Sequence, residues 1–131
     1  MAISFDNALG IHPQAMGVRV QRAEIIANNL ANSDTPGFKA RDIDFKAVLN
    51  AESDRLSSVG LDKTDDKHLD GLLSPDQGLK FRNPHQPAID GNTVETQVEN
   101  SEYMQNAMQY QATFQFLNSK FKGLTGAIKG E

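Results

Sequence analysis

With 131 residues, 13 basic and 17 acidic side chains and a formal charge of −4, the chain has room for one modest core and carries no summed positive field to neutralise a phosphate backbone. Leu, Ile, Val and Phe occupy 31 positions, above the level of a disordered chain but low for a compact enzyme, so part of it is expected to order only against a partner. The absence of cysteine removes disulfides, thiolate metal sites and cysteine nucleophiles together, no run reaches the ~18 apolar residues of a membrane span, and no basic-then-apolar leader begins the chain, so a cytosolic start without a cleaved signal is expected.

In chain order, Met16, Val20, Ala23, Ala27 and Leu30 recur at steps of 4, 3, 4 and 3, one narrow stripe on a helix that Phe5 and Leu9 prolong upstream. Pro13 either opens this helix at its first turn or kinks a longer one that starts near Ser4. Its end is sharper: Asn32, Ser33, Asp34, Thr35, Pro36 and Gly37 crowd turn formers together, and Pro36-Gly37 fits the centre of a type II turn.

Between Lys39 and Gly91 the periodicity dissolves under punctuation such as Ser74-Pro75-Asp76 and Asn83-Pro84-His85-Gln86-Pro87, so long helices are not expected. Ile43 and Phe45 alternate with Asp42 and Asp44, and Leu79 and Phe81 alternate with Lys80 and Arg82, in the manner of two short strands of a small hairpin-like unit.

After Asp90-Gly91 the pattern changes, with Asn92 and Glu95 spaced as a capping box. Tyr103, Ala107, Tyr110, Phe114, Leu117, Phe121, Leu124 and Ile128 then follow at steps of 4 and 3 without a miss, a coiled-coil seam. The predicted fold is therefore mainly α. Long N- and C-terminal helices pair as a coiled coil, and the organisation is a helix and turn over 1–38, an irregular middle over 39–91 with room for the short β-hairpin, and a helix over 92–131.

Chemistry finds little support. His12, His68 and His85 share no ligand spacing, Asp42/Asp44 and Asp65/Asp66 read as solvated charges, and no phosphate-cradling or nucleophile motif occurs. No catalytic residue, metal site or cofactor is expected. The informative feature is the stretch from Tyr103 to Ser119, seventeen residues without a charge, where a free surface helix would carry Glu and Lys. Met104, Met108, Ala112 and Phe116 add a second apolar row at steps of four, and a helix with two apolar rows has two partners. The competing reading buries this row under Leu72, Leu73, Leu79 and Phe81 as ordinary core. The non-seam positions Gln105, Asn106, Gln109, Gln111, Thr113, Gln115 and Asn118 favour a subunit of an assembly, because uncharged amides hydrogen-bond a neighbour without the cost of a buried charge.

The run Asn28-Asn29-Leu30-Ala31-Asn32-Ser33-Asp34-Thr35-Pro36-Gly37-Phe38-Lys39 resembles the signature of the rod and hook proteins of the bacterial flagellum. Lys39-Ala40-Arg41-Asp42-Ile43-Asp44-Phe45, Asp90-Gly91-Asn92-Thr93-Val94 and Asn118-Ser119-Lys120-Phe121-Lys122-Gly123-Leu124 are similar to stretches of the short proximal-rod members of that family. The resemblance implies a structural subunit without catalysis, exported unfolded from the cytoplasm with no cleaved signal and polymerised in the periplasm into the base of the rod. Its implied partners are copies of itself, other rod proteins, the adaptor FliE at the junction of membrane ring and rod, and export-gate proteins, with no nucleic acid and no membrane insertion. Asn28, Asn29, Leu30, Asn32, Thr35, Pro36, Gly37 and Phe38 would then meet neighbouring subunits, a reading set ahead of the alternative in which the asparagines only cap their own helix and Phe38 only covers the local core. The competing function is a helical chaperone or adaptor that binds an amphipathic flagellar export substrate in an exposed groove. A small hydrolase has no supporting constellation.

Overall fold

The computed structural model describes residues 8–57 and 79–130. Features expected at Phe5, Asp65, Asp66, His68, Leu72, Leu73 and Ser74 to Asp76 lie outside them. Helix α1 runs His12–Ala31 with Pro13 in its first turn, and a separate helical turn at Ala8 and Leu9 is divided from it at Gly10, whose φ is +61°. Pro13 thus opens the main helix, where its missing N–H has no partner to lose. The other end stops where the turn formers begin: the Asn32 amide still reaches the carbonyls of Asn28 and Asn29 at 3.2 and 3.1 Å, and its Nδ2 donates to Asn28 O at 2.8 Å. Phe38 N–H then bonds Thr35 O at 3.3 Å around a Gly37 at φ +73°, the left-handed third position that a type II turn requires.

Strand β1, Arg41–Ile43, pairs antiparallel with β2, Leu79–Phe81, Ile43 facing Leu79 and Arg41 facing Phe81. Phe45, expected on the first strand, instead begins helix α2, Phe45–Ser57, and this thirteen-residue helix corrects the expectation that the middle holds none of length. Its start is coded locally. Asp44 Oδ1 accepts the Ala47 N–H at 3.1 Å, an N-cap ahead of Val48 and Leu49.

Helix α3 spans Thr96–Lys129, 34 residues and about 51 Å at 1.5 Å per residue. The expected capping box at Asn92 is not formed. Glu95 holds the N-cap position without capping the helix, its Oε1 accepting instead from the His85 and Gln86 amides at 3.0 and 3.1 Å. Helices α1 and α3 pack antiparallel, Asn29 level with Glu99 and His12 with Phe116, so α3 projects well past the level of His12. The buried apolar set is small, Ala15, Val18, Ile26, Ala40 and Ile43, and it is matched by buried Asn29, Asn92, Glu99, Asn106 and Thr113.

On α3 the fully buried positions are therefore Glu99, Asn106 and Thr113, a strict seven-residue line that is polar throughout. The expectation that the aromatic row packs against α1 within one chain is corrected accordingly. Tyr103, Ala107, Phe114, Phe121 and Ile128 are exposed, while Tyr110, Leu117 and Leu124 are half-buried. The helix is turned toward its polar line because α1 offers that line hydrogen bonds, not apolar holes: Asn106 Nδ2 donates to the Arg19 carbonyl at 2.9 Å, and the Arg19 guanidinium donates to Thr113 Oγ1 at 3.2 Å and Gln109 Oε1 at 2.6 Å.

Candidate assembly interface

Two regions bear on assembly, an ionic joint at one end of the helix pair and an open groove farther along it. The joint begins with Asn29, which is buried on α1. Its Oδ1 accepts the Arg41 N–H at 3.1 Å and its Nδ2 donates to Arg41 O at 2.7 Å, so one side chain pairs with β1 as a third strand would. The same Nδ2 lies 3.2 Å from Glu99 Oε2. Around it, Arg22 Nε and Nη2 form a fork on Asp42 at 2.9 Å each, Arg22 Nη2 also reaches Glu102 at 2.8 Å, and Arg82 bridges Asp42 to Glu99 Oε1, the latter at 2.8 Å. Two guanidiniums and three carboxylates thus tie α1, β1, the segment after β2 and α3 into one cluster.

Environment separates these acids. Burial pushes the Glu99 carboxyl up, and the Asn29 hydrogen bond and the Arg82 charge reverse only part of that. Burial pushes Asp42 the same way, but the hydrogen bonds from Arg22 and Arg82 prevail and hold it below the usual carboxylate range. The Asp42 bonds in turn raise Arg22 above an ordinary guanidinium. Asp44, whose Oδ2 meets Lys80 Nζ at 2.8 Å, is likewise lowered. The reading of Asp42 and Asp44 as unperturbed solvated charges is corrected: their partners stand 20 to 40 positions away in sequence, where no local pattern reveals them.

A second asparagine closes the joint. Asn92 Nδ2 points at the carbonyls of Asn32, Ser33 and Thr35 at 3.1, 2.7 and 3.0 Å, and its Oδ1 accepts the Val94 N–H at 2.8 Å. Thr93 Oγ1 accepts the Ala40 N–H at 2.7 Å, Thr93 N–H reaches Phe38 O, Gly37 N–H reaches Asp90 O, and Lys39 Nζ reaches Gly91 O at 2.6 Å. The turn after α1 and the strand-like entry to α3 are therefore laced together. Of the motif residues, Asn29 is wholly committed inside the chain, Asn32 caps its own helix, Leu30 and Phe38 are half-buried, and Asn28, Thr35, Pro36 and Gly37 are exposed. Sequence reasoning missed Glu99, whose seven-residue spacing to Asn106 and Thr113 was the available signal; it set Asn106 and Thr113 toward a neighbouring chain, where the structure buries both against Arg19, and it gave Asn92 a different partner.

Both predicted stripes survive, but as neighbours on one open face. Val20, Ala23 and Ala27 of α1 and Tyr103, Ala107 and Tyr110 of α3 line a groove of about 370 Å³, with Asn106, Arg19 and Glu24 completing it. Met16 and Leu30 continue the α1 stripe half-buried, and Phe114, Phe121 and Ile128 continue the α3 stripe exposed. Met104, Met108 and Ala112 stand on another face of α3, the two methionines 68% and 67% exposed. Phe116, the last of that row, turns back toward α1, its ring centroid 6.0 Å from that of His12. Leu79 is half-buried and Phe81 is 67% exposed, with Arg41 over its ring. Among the described residues no cluster of His, Asp or Glu is placed to hold a metal and no helix is long and apolar enough to cross a membrane.

The family profile described as Flagella basal body rod protein matches residues 12–39, which is α1 and its turn. Over 133 aligned residues the chain is 51% identical to the flagellar basal body rod protein FlgB of Aeromonas hydrophila, covering 100% of this chain and 99% of that one. It is 38% identical to FlgB of Escherichia coli (strain K12) over 98% of both chains, and 42% identical to FlgB of Cereibacter sphaeroides over 97% of this chain and 98% of that one.

Proposed function

The chain belongs to the FlgB family of flagellar basal body rod proteins and is a structural subunit of the basal-body rod, and we propose that it polymerises through the groove that α1 and α3 share. Its family is structural and not enzymatic. One observation carries the reading: the two longest apolar stripes of the sequence meet side by side on the outside of the monomer. A largely apolar trough, with Arg19, Glu24 and Asn106 at its edges, excludes water when a neighbour's helix covers it.

In the same reading the chain leaves the cytoplasm unfolded and assembles in the periplasm at the base of the rod. There it transmits torque, surrounds the export path, and meets FliE and export-gate proteins beside other rod proteins. The exposed motif residues Asn28, Thr35, Pro36 and Gly37 serve as a rim for those contacts, held in place by the joint.

The test is a charge in the trough. Ala107 is exposed in the monomer, so Ala107→Glu is expected to leave helicity by circular dichroism unchanged, while a neighbour must desolvate the new carboxylate. Loss of swimming with loss of the protein from isolated basal bodies is the expected result. Normal incorporation refutes the groove as the assembly surface.

A further inference from the structure

We propose that Arg19 is a positioning residue that couples α2 to the rotation of α3 on α1, so that a change at the start of α2 is transmitted to the long helix pair. The coupling is internal to one chain and stands apart from its assembly.

It lies in the shape of one group. A guanidinium is planar and rigid, and its N–H donors all lie in its plane. The central carbon of Arg19 stands over the Phe45 ring, 4.2 Å from the centroid. On the rim of the same group, Nε donates to Thr113 Oγ1 at 3.2 Å and Nη1 donates to Gln109 Oε1 at 2.6 Å. The first residue of α2 thus holds the middle of the cation while α3 holds its edge. Moving the ring removes the surface against which the cation rests, and turning α3 drags the edge and with it the centre.

These three partners are neutral, so the cation is placed by direction and not by an opposite charge. Burial and the neighbouring Arg22 charge lower the Arg19 guanidinium below its ordinary value, and a cation desolvated in this way depends on each partner it has.

Its place in the fold makes Arg19 a junction. Its carbonyl accepts Asn106 Nδ2 at 2.9 Å, so one residue of α1 holds two of the three buried residues of α3, Asn106 and Thr113. On the other side, Arg22 and Arg19, three positions apart on α1, receive Asp42 and Phe45, three positions apart across the junction of β1 and α2. The Asp42 contact is a charged fork, whereas Phe45 offers only a ring, so the α2 contact is the weaker of the two and yields first. Arg19 also borders the groove that α1 and α3 share, and a swing of its side chain alters that wall.

Because the chain contains no cysteine, spin labels at Ala31→Cys and Ala112→Cys, both exposed, report the rotation of α3 against α1 as a distance in the purified full-length chain by double electron–electron resonance. Phe45→Leu, which keeps an apolar side chain but no ring, is expected to shift or broaden the distance distribution as Arg19→Lys does. Phe45→Tyr, which keeps the ring, is expected to leave it as in the wild type, and Phe45→Leu should add nothing once Arg19→Lys is present. An unchanged distribution in either Phe45→Leu or Arg19→Lys overturns the proposal, as do equal shifts from Phe45→Leu and Phe45→Tyr or additive shifts in the double variant. If Phe45→Leu loses helicity by circular dichroism, Thr113→Val reads the coupling in reverse, since a coupling between two sites is reciprocal. Amide hydrogen exchange in α2 is then expected to quicken by about threefold, on the scale of a lost cation–ring contact. Exchange in α2 at the wild-type rate overturns the proposal.

Discussion

The two ends of the α1 and α3 pair are built from opposite materials. Near Asn29 and Glu99 a partnered polar network surrounds the buried Ile26, Ala40 and Ile43, whereas near Ala107 and Phe114 the helices present apolar side chains to solvent and the acceptor of Asn106 has no partner among the described residues. The first region folds by satisfying itself. The second is incomplete by design of its pattern, because apolar area yields stability only when something removes it from water. With five buried apolar residues among those described, the monomer relies heavily on ionic and amide bonds for its shape and keeps a larger apolar area for neighbours.

Changes in the joint should break the monomer most. Arg82→Leu leaves the buried Glu99 carboxylate without its cation and strips one of two guanidiniums from Asp42. It is expected to cost about 3 kcal/mol, the lower end for breaking a buried ion pair because Asp42 keeps Arg22, read as a lower urea midpoint. If stability is unchanged, the joint is not what orders the chain.

Asn92→Ala comes next. It removes the donor from three turn carbonyls and the acceptor from Val94, and about 2 kcal/mol is expected for these buried groups. Hydrogen exchange should speed at residues 32–38 before it does in α3, since the turn is what the amide holds.

The pH profile sharpens the comparison further. Asp42 is lowered in the folded state, so its contribution is present above the unfolded carboxylate value and is lost as pH falls through the lowered folded one. Glu99 is raised, so its contribution is full below the ordinary value of 4.5 and is lost as pH rises through the raised folded one. Stability should therefore peak in weak acid. Glu99→Gln is expected to keep an acceptor for Arg82 and to flatten the alkaline side of that peak while leaving the acid side, in urea midpoints taken across pH.

The smallest effect on the monomer belongs to the other region. Met108→Glu replaces an exposed side chain and should shift stability by no more than about 0.5 kcal/mol, while incorporation into the rod falls. A large loss of helicity instead would place the methionine row inside the monomer's own core and erase the contrast between the two ends.

Much of this was legible in the residues themselves. Stripes at steps of 3 and 4 marked both terminal helices, turn formers from Asn32 to Gly37 marked the end of α1, and alternation around Ile43 and Leu79 marked the two strands, because each signal is local and needs only the helical or extended period. The twelve residues from Asn28 to Lys39 carried the family. Helix α2 was missed although Asp44 caps it, since the signal was read against a strand that ends one residue earlier.

What tertiary structure alone decided is which face of each helix turns inward. An apolar count points to Tyr110 and Phe114, but the chain buries Glu99, Asn106 and Thr113, because a polar side chain can be buried wherever a partner waits and those partners, Asn29, Arg82 and the carbonyl and guanidinium of Arg19, lie 17 to 94 positions away. Periodicity measures apolar area and cannot see hydrogen bonds that exist only after the helices meet. The sequence by itself determined two helices, their lengths and their apolar faces; their rotation, which turns those faces into one outward groove, follows from the ionic joint and the buried amides.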